Sequence, residues 1–83
     1  MAAWRIFVDD FGNDCAKIIL DIESIKITGY VQDCDGEGCD WSVVENGALH
    51  ASGEFLVEGD TADSEREAWD KAIKAATRAI TSY

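Results

Sequence analysis

The fold of this chain is decided by one stretch, Trp41-Ser42-Val43-Val44-Glu45-Asn46-Gly47-Ala48-Leu49-His50-Ala51-Ser52-Gly53. Its centre is Asn46-Gly47, the dipeptide that best tolerates the two positive φ angles of a type I′ turn. The flanking residues alternate as strands with one buried face do, so the stretch predicts a hairpin with arms over 41–45 and 48–57. Gly53 indicates a bulge or close packing under a helix. One face of the second arm is expected to carry Leu49, Ala51, Gly53, Phe55 and Val57.

Two segments upstream of this hairpin also have strand character. Residues 4–9 alternate large side chains and end in a run of turn formers over 10–14. Residues 15–31 are rich in β-branched side chains but change parity near Glu23-Ser24, where a regular strand would not. This segment is either one long strand bent by a bulge or two short strands joined by a tight turn. The polar, glycine-rich run Asp33–Asp40 is expected to be a loop at a sheet edge or hairpin end.

The end of the chain has helical periodicity. Ser64 and Glu67 form a capping box, with Thr61 and Asp63 as competing N-caps. Apolar residues then recur at spacings of three and four, which predicts a helix over about 62–82. Acidic side chains come early in this segment and basic ones late, as the helix dipole favours. The apolar stripe consists of Trp69, Ala72, Ile73, Ala76, Ala79, Ile80 and Tyr83.

These elements predict an α+β fold of two layers. An antiparallel β-meander of three to five strands, over about residues 4–58, has one C-terminal helix packed on one face. At 83 residues the chain is expected to form a single domain, 1–83, with one thin core and no interdomain cleft. The second face of the sheet stays open for a partner. Its candidate residues are Arg5, Phe7, Lys26, Thr28, Ser42, Val44, His50, Glu54 and Leu56.

The charge of the chain is strongly negative and unevenly distributed. Residues 1–60 hold thirteen acidic and three basic side chains, whereas residues 61–83 hold four of each, so the whole net charge of −10 belongs to the first part. Such a field repels nucleic-acid phosphates and attracts proteins with basic surfaces, of which nucleic-acid-binding proteins are the commonest. The alternative is that the acidic residues only keep a small domain soluble.

The start of the chain and its cysteines bear on the compartment. No apolar run is long enough to span a bilayer and the first residues lack a signal-peptide core, so a cytosolic protein without membrane contact is expected. Cys15, Cys34 and Cys39 are odd in number, and in a reducing compartment they are expected to be free thiols. Under oxidising conditions Cys34 and Cys39 would close a short disulfide loop.

Two metal sites can be drawn on the sequence. Asp33, Asp35 and Glu37 followed by Gly38 match the first half of a calcium loop, but the later ligand positions hold unsuitable residues and no helices flank the loop. A zinc site of Cys15, Cys34, Cys39 and His50 has the wrong spacing for a structural zinc motif. A metal-binding regulatory or interaction module, with zinc or calcium, is therefore the alternative function, and no cofactor is expected.

Catalytic motifs are lacking. The chain has one histidine, no nucleophile elbow and no phosphate-binding glycine loop, and its adjacent carboxylates Asp9 and Asp10 would point to opposite faces of a strand. An enzyme is therefore not expected.

The meander that ends in the hairpin 41–53, followed by a short alanine-rich helix, resembles many small bacteriophage and mobile-element proteins. In its small size and acidity the chain is similar to the anti-CRISPR proteins. This resemblance implies a stoichiometric, non-catalytic inhibitor in the host cytosol that docks on the basic nucleic-acid surface of a CRISPR effector. The residues themselves point to the run 33–40 as the docking surface, with the partner-binding residues Asp33, Asp35, Glu37 and Asp40 and with Trp41 as an anchor.

Overall fold

Residues 3–57 and 61–82 are described by the computed structural model of the chain. Five strands form one antiparallel sheet in the order β1-β2-β3-β4-β5, and one helix follows, which confirms the α+β fold. Tyr83, expected in the helix stripe, lies outside the described residues. The elements are β1 Arg5–Val8, β2 Asp14–Ile22, β3 Ile25–Asp35, β4 Gly38–Glu45, β5 Ala48–Leu56 and α1 Glu65–Thr81.

The turns settle the alternatives left open by the sequence. Glu23 has φ 58° in a tight turn that joins two long strands, so the parity change near it marks a turn. Asn46 and Gly47 have φ 49° and 87°, which confirms the predicted type of hairpin. The expectation of a loop over 33–40 is wrong in extent, because β3 and β4 pair up to Asp35 and Gly38 and leave only 36–37 as the turn.

A β-bulge in β5 corrects the predicted face of its first residues. Val43 pairs with Ala51 but Val44 pairs with Leu49, so His50 is an extra residue in β5. Leu49 is thereby moved to the open face, where it is 67% exposed, instead of sharing a face with Ala51.

The helix begins and packs as its pattern predicts. Ser64 is the N-cap, and its hydroxyl accepts a hydrogen bond from the Glu67 backbone N–H at 3.1 Å. Its buried face packs on β3, β4 and β5 and leaves β1 uncovered. In the described part of the chain no helix is long and apolar enough to cross a membrane. The buried residues of the helix are Ala68, Ala72, Ala76 and Ile80.

Small helix residues allow a close fit to the sheet. The largest fully buried side chains are Ile27, Val31, Val43 and Cys39, and they come from the two central strands under the helix. Trp41 and Trp4 are half-buried and pack against this core from its margins. The core is therefore one thin layer between helix and sheet, and the opposite face of the sheet has no covering layer among the described elements.

Candidate protein-binding site

Antiparallel order gathers carboxylates at one end of the sheet. In a meander, alternate turns lie at the same end, so the β1–β2 turn, the β3–β4 turn and the end of β5 are neighbours. We call this region the acidic end. Its described residues are Asp9, Asp10, Asp14, Asp33, Asp35, Glu37, Asp40 and Glu54.

The centre of the acidic end is an open depression of about 380 Å³. Five carboxylates line it, and no lysine or arginine of the described residues does. The structure therefore brings together the four acidic residues predicted for partner binding and adds a fifth. The lining residues are Asp33, Asp35, Glu37, Gly38, Asp40, Glu54 and Leu56.

Glu54 joins this group because of the bulge. A regular hairpin centred on Asn46-Gly47 would place Asp40 opposite Gly53, and Glu54 would then point to the helix side. The extra residue His50 shifts the register by one, so that Asp40 lies opposite Glu54 on the open face. Glu54 is among the residues expected on the open face, and its pairing with Asp40 agrees with that expectation. It was not predicted for the partner-binding group, because that group was drawn from the run 33–40 and residue 41 alone.

Backbone contacts hold the hairpin end that carries these carboxylates. The Asp35 carboxylate accepts a hydrogen bond from the Glu37 N–H at 2.8 Å, and the Glu37 carbonyl accepts one from the Val57 N–H at 2.7 Å. Asp33 has φ 54° where the register between β3 and β4 shifts. Four of the five carboxylates of the depression therefore lie on paired strands, in contrast to the loop expected from the sequence, and only Glu37 lies in the turn.

The carboxyl group of Asp40 is partly buried beside other carboxylates. Burial raises the pKa of its carboxyl above the ordinary value, and the neighbouring charges of Asp33 and Glu54 raise it further. A proton or a cation at this position would relieve that repulsion. The carboxylates of the depression thus raise one another's cost of ionisation, and no lysine or arginine of the described residues lines the depression to offset it.

Trp41 does not lie on the same surface as these carboxylates. Its side chain points to the helix side of β4, opposite to Asp40, because successive residues of a strand face opposite ways. It is half-buried against both core clusters. Gly53 lies under its ring, and a Cβ atom there would come within 2.7 Å of the indole Nε1. Trp41 is thus a core residue and not an anchor ringed by acidic residues.

The cysteines do not form the alternative metal site. Cys34 and Cys39 are joined by a disulfide, which corrects the expectation of three free thiols, and the hairpin register explains it by bringing their Cα atoms to 4.2 Å. Residues 3–57 and 61–82 contain no group of three or more His, Cys, Asp or Glu side chains arranged to hold a metal ion. His50 lies in the bulge of β5, away from the disulfide end of the sheet.

Cys15 is a buried free thiol on the opposite face of β2 from Ala16, which belongs to the core. Its Sγ lies 3.8 Å from Asp9 Oδ2 and 3.7 Å from the Asn13 carbonyl oxygen. Burial, followed by the charge of Asp9, raises the pKa of this thiol. A protonated, buried thiol is a weak nucleophile and a weak metal ligand, so Cys15 serves packing.

A second cavity of about 480 Å³ lies between the start of the helix and the sheet. Ile6, Trp69 and the two disulfide cysteines form its apolar part, and Arg66 brings a positive charge among acidic residues at its rim. Its remaining lining residues are Asp14, Glu65 and Asp70.

Comparison of the chain with protein-family models, with curated proteins and with solved structures finds no match.

Proposed function

We propose that this chain is a non-catalytic acidic inhibitor whose acidic end docks on the basic nucleic-acid-binding surface of another protein. The observation that carries this proposal is the depression lined by five carboxylates and by no basic side chain of the described residues. Burial raises the pKa of Asp40, and the neighbouring charges of Asp33 and Glu54 raise it further, so the carboxylates of the depression repel one another. Docked arginine or lysine side chains would replace that repulsion with attraction.

The length of the molecule places two of its basic residues far from this negative field. Arg66 and Lys71 lie nearer to it, Arg66 at the rim of the second cavity and Lys71 bonded to the Thr61 carbonyl oxygen. The helix begins near the acidic end and runs away from it, so Lys74 and Arg78 lie towards the other end. The longest dimension is 40 Å, several times the screening length of about 8 Å at physiological ionic strength. A partner that approaches the acidic end therefore meets an unbalanced negative charge, which orients the encounter and repels nucleic acid itself.

The resemblance to anti-CRISPR proteins extends the proposal to a kind of partner. A CRISPR effector holds its guide and target in positively charged channels. The chain would occupy such a channel in the host cytosol, without a cofactor, and would block it stoichiometrically. In a reducing cytosol Cys34 and Cys39 would exist as two thiols. Docking through the acidic end depends on its carboxylates, and it does not require these two cysteines to be either oxidised or reduced.

Capture from host lysate with matched charge variants tests the proposal. The first variant, Asp33→Asn with Asp35→Asn and Glu37→Gln, removes three charges from the acidic end. Asn at 33 tolerates the positive φ, and Asn at 35 keeps an oxygen for the Glu37 N–H, so the hairpin is expected to fold. The wild type should capture a basic nucleic-acid-binding protein at low salt and release it when competing DNA is added, whereas the variant should not capture it.

The control removes three charges outside the depression by Asp21→Asn, Glu65→Gln and Asp70→Asn. Asp21 lies at the opposite end of β2, and the other two residues are exposed on the helix. This variant should capture the same protein as the wild type. Equal loss in both variants would show that only net charge matters, and capture that DNA does not reverse would contradict docking on a nucleic-acid site.

A further inference from the structure

Strand β1 is an exposed edge of the sheet with apolar side chains on both faces. Ile6 and Val8 are 66% and 62% exposed on the helix side, and Phe7 is 41% exposed on the open side. No strand among residues 3–57 and 61–82 pairs with the outer edge of β1, and α1 does not cover it. Exposed apolar edge strands of this kind are templates for pairing with another chain.

The hydrogen-bond phase of β1 shows which backbone groups face outwards. The Asp9 N–H donates to the Asn13 carbonyl oxygen across the hairpin at 3.0 Å. In an antiparallel pair, the backbone N–H and C=O groups of every second residue point to the same neighbouring strand. The backbone groups of Phe7 and Arg5 therefore also hydrogen-bond to β2. The N–H and C=O groups of Ile6 and Val8 therefore point to the outer edge, and they are available to a strand that adds there.

Arg5 lacks a carboxylate partner in the described part of the chain. It lies directly opposite Lys17 in the ladder, and no described Asp or Glu side chain comes within ion-pair distance of it. Like charges that face each other across strands are destabilising. The Lys17 Nζ lies over the Tyr30 ring, 5.5 Å from the ring centroid, which is a favourable cation–π contact. Of the two facing cations, Arg5 is therefore the one without a compensating contact.

We propose that two copies of the chain pair through β1 in antiparallel orientation, with Phe7 opposite Phe7 of the second copy, to form one continuous ten-stranded sheet. In this register Ile6 lies opposite Val8 of the second copy, and their outward backbone groups form the hydrogen-bonded pairs. Arg5 lies opposite Asp9 of the second copy on the open face, where Asp9 Oδ2 already lies beside Cys15. The pairing therefore gives Arg5 of each copy a carboxylate partner, Asp9 of the other copy.

The partner is a second copy because residues 5–9 are complementary to themselves. When the segment 5–9 pairs antiparallel with the same segment of a second copy, a two-fold axis passes between the two Phe7 residues. Arg5 then faces Asp9 at each end of the pair, and the apolar residues 6–8 face one another between them. Antiparallel pairing also points the two acidic ends in opposite directions, so the large net charges stay apart. The other sheet edge, β5, is interrupted by the bulge at His50, which disfavours regular pairing there.

Sedimentation equilibrium of the chain tests this proposal independently of the acidic-end function. The wild type should have twice the chain mass of 9.1 kDa at high concentration. Ile6→Lys with Val8→Lys should raise the dissociation constant at least about tenfold, since edge lysines oppose strand addition. The control Leu49→Lys with Leu56→Lys replaces two exposed apolar residues of β5 and should leave it unchanged. A monomeric wild type, or equal weakening by the control, would overturn the proposal.

Cross-linking tests the register. In a background of Cys15→Ala, which removes the neighbour of residue 7, Phe7→Cys should form a disulfide-linked dimer under mild oxidation. Facing residues of a non-hydrogen-bonded pair have Cα atoms about 4.5 Å apart, within the range of disulfides. Ile6→Cys in the same background should not link to itself, because position 6 faces position 8. A linked dimer of the Ile6→Cys variant, with none of the Phe7→Cys variant, would overturn this register.

Discussion

Two glycines at the end of the β3–β4 hairpin, Gly36 in the turn and Gly38 at the start of β4, differ in how well they tolerate a side chain. A Cβ atom on Gly38 would collide with the Phe55 carbonyl oxygen, and its φ of 151° disfavours other residues, whereas a Cβ atom on Gly36 meets nothing within 4 Å. We predict that Gly38→Ala lowers the free energy of unfolding by about 2 kcal/mol or more. Gly36→Ala should change it by less than about 0.5 kcal/mol in the same urea titration. A small effect at Gly38 would mean that the two strands are farther apart at the acidic end.

The effect of replacing Asp40 on the free energy of unfolding is expected to depend on pH. Its pKa is raised on folding, so the folded chain holds this proton more tightly than the unfolded chain does. The stabilisation that this provides is complete in acid, below the unfolded pKa, and is lost as pH rises through the folded pKa. Asp40→Asn should therefore make the chain more stable than the wild type at pH 7, and this advantage should disappear in acid.

Urea unfolding of the wild type and of the Asp40→Asn variant, at neutral and at acidic pH, measures how their free energies of unfolding differ. Asp70→Asn, on the exposed surface of the helix, is the control for the loss of one negative charge. A gain at pH 7 that persists unchanged in acid would mean that Asn improves packing, and that neither burial of the charge nor repulsion at the acidic end is the cause.

At the scale of elements, the disulfide ties the end of β3 to the start of β4. Its loop is short, with a sequence separation of 5, so the chain-entropy model assigns it about 2 kcal/mol. We predict that a phosphine reductant lowers the free energy of unfolding by about that amount. A Cys34→Ala, Cys39→Ala variant should not respond to the reductant, and Cys15→Ala should respond as the wild type does. If the wild type did not respond, the paired strands alone would hold this hairpin end.

How far the elements could be predicted from sequence depended on whether a local signal existed. Asn46-Gly47 and the Ser64 cap each have a known backbone geometry, and the hairpin and the helix start follow from them. The bulge at His50 has no such local signal, because no glycine or proline lies at that position. One unrecognised residue was therefore enough to misplace Leu49.

At the scale of the whole molecule, the segregation of charge along the sequence becomes a segregation in space. The sequence shows the excess in residues 1–60, but it does not show that meander order collects most of it at one end of the sheet. The four carboxylates of the run 33–40 could be predicted as a group because they are close in sequence. Their neighbours Asp9, Asp10 and Asp14 could not, because the sequence left open whether residues 15–31 form one strand or two, and this number decides which turns lie at the same end of the sheet.

Competition with nucleic acid tests the central claim most directly. The captured partner is mixed with a labelled DNA or RNA that it binds, and the chain is added at increasing concentration in low and in physiological salt. We predict displacement of the nucleic acid at one chain per binding site, weaker as salt rises, and no displacement by the Asp33→Asn, Asp35→Asn, Glu37→Gln variant. A partner that holds the chain and its nucleic acid at the same time would contradict the claim that the acidic end occupies a nucleic-acid-binding surface.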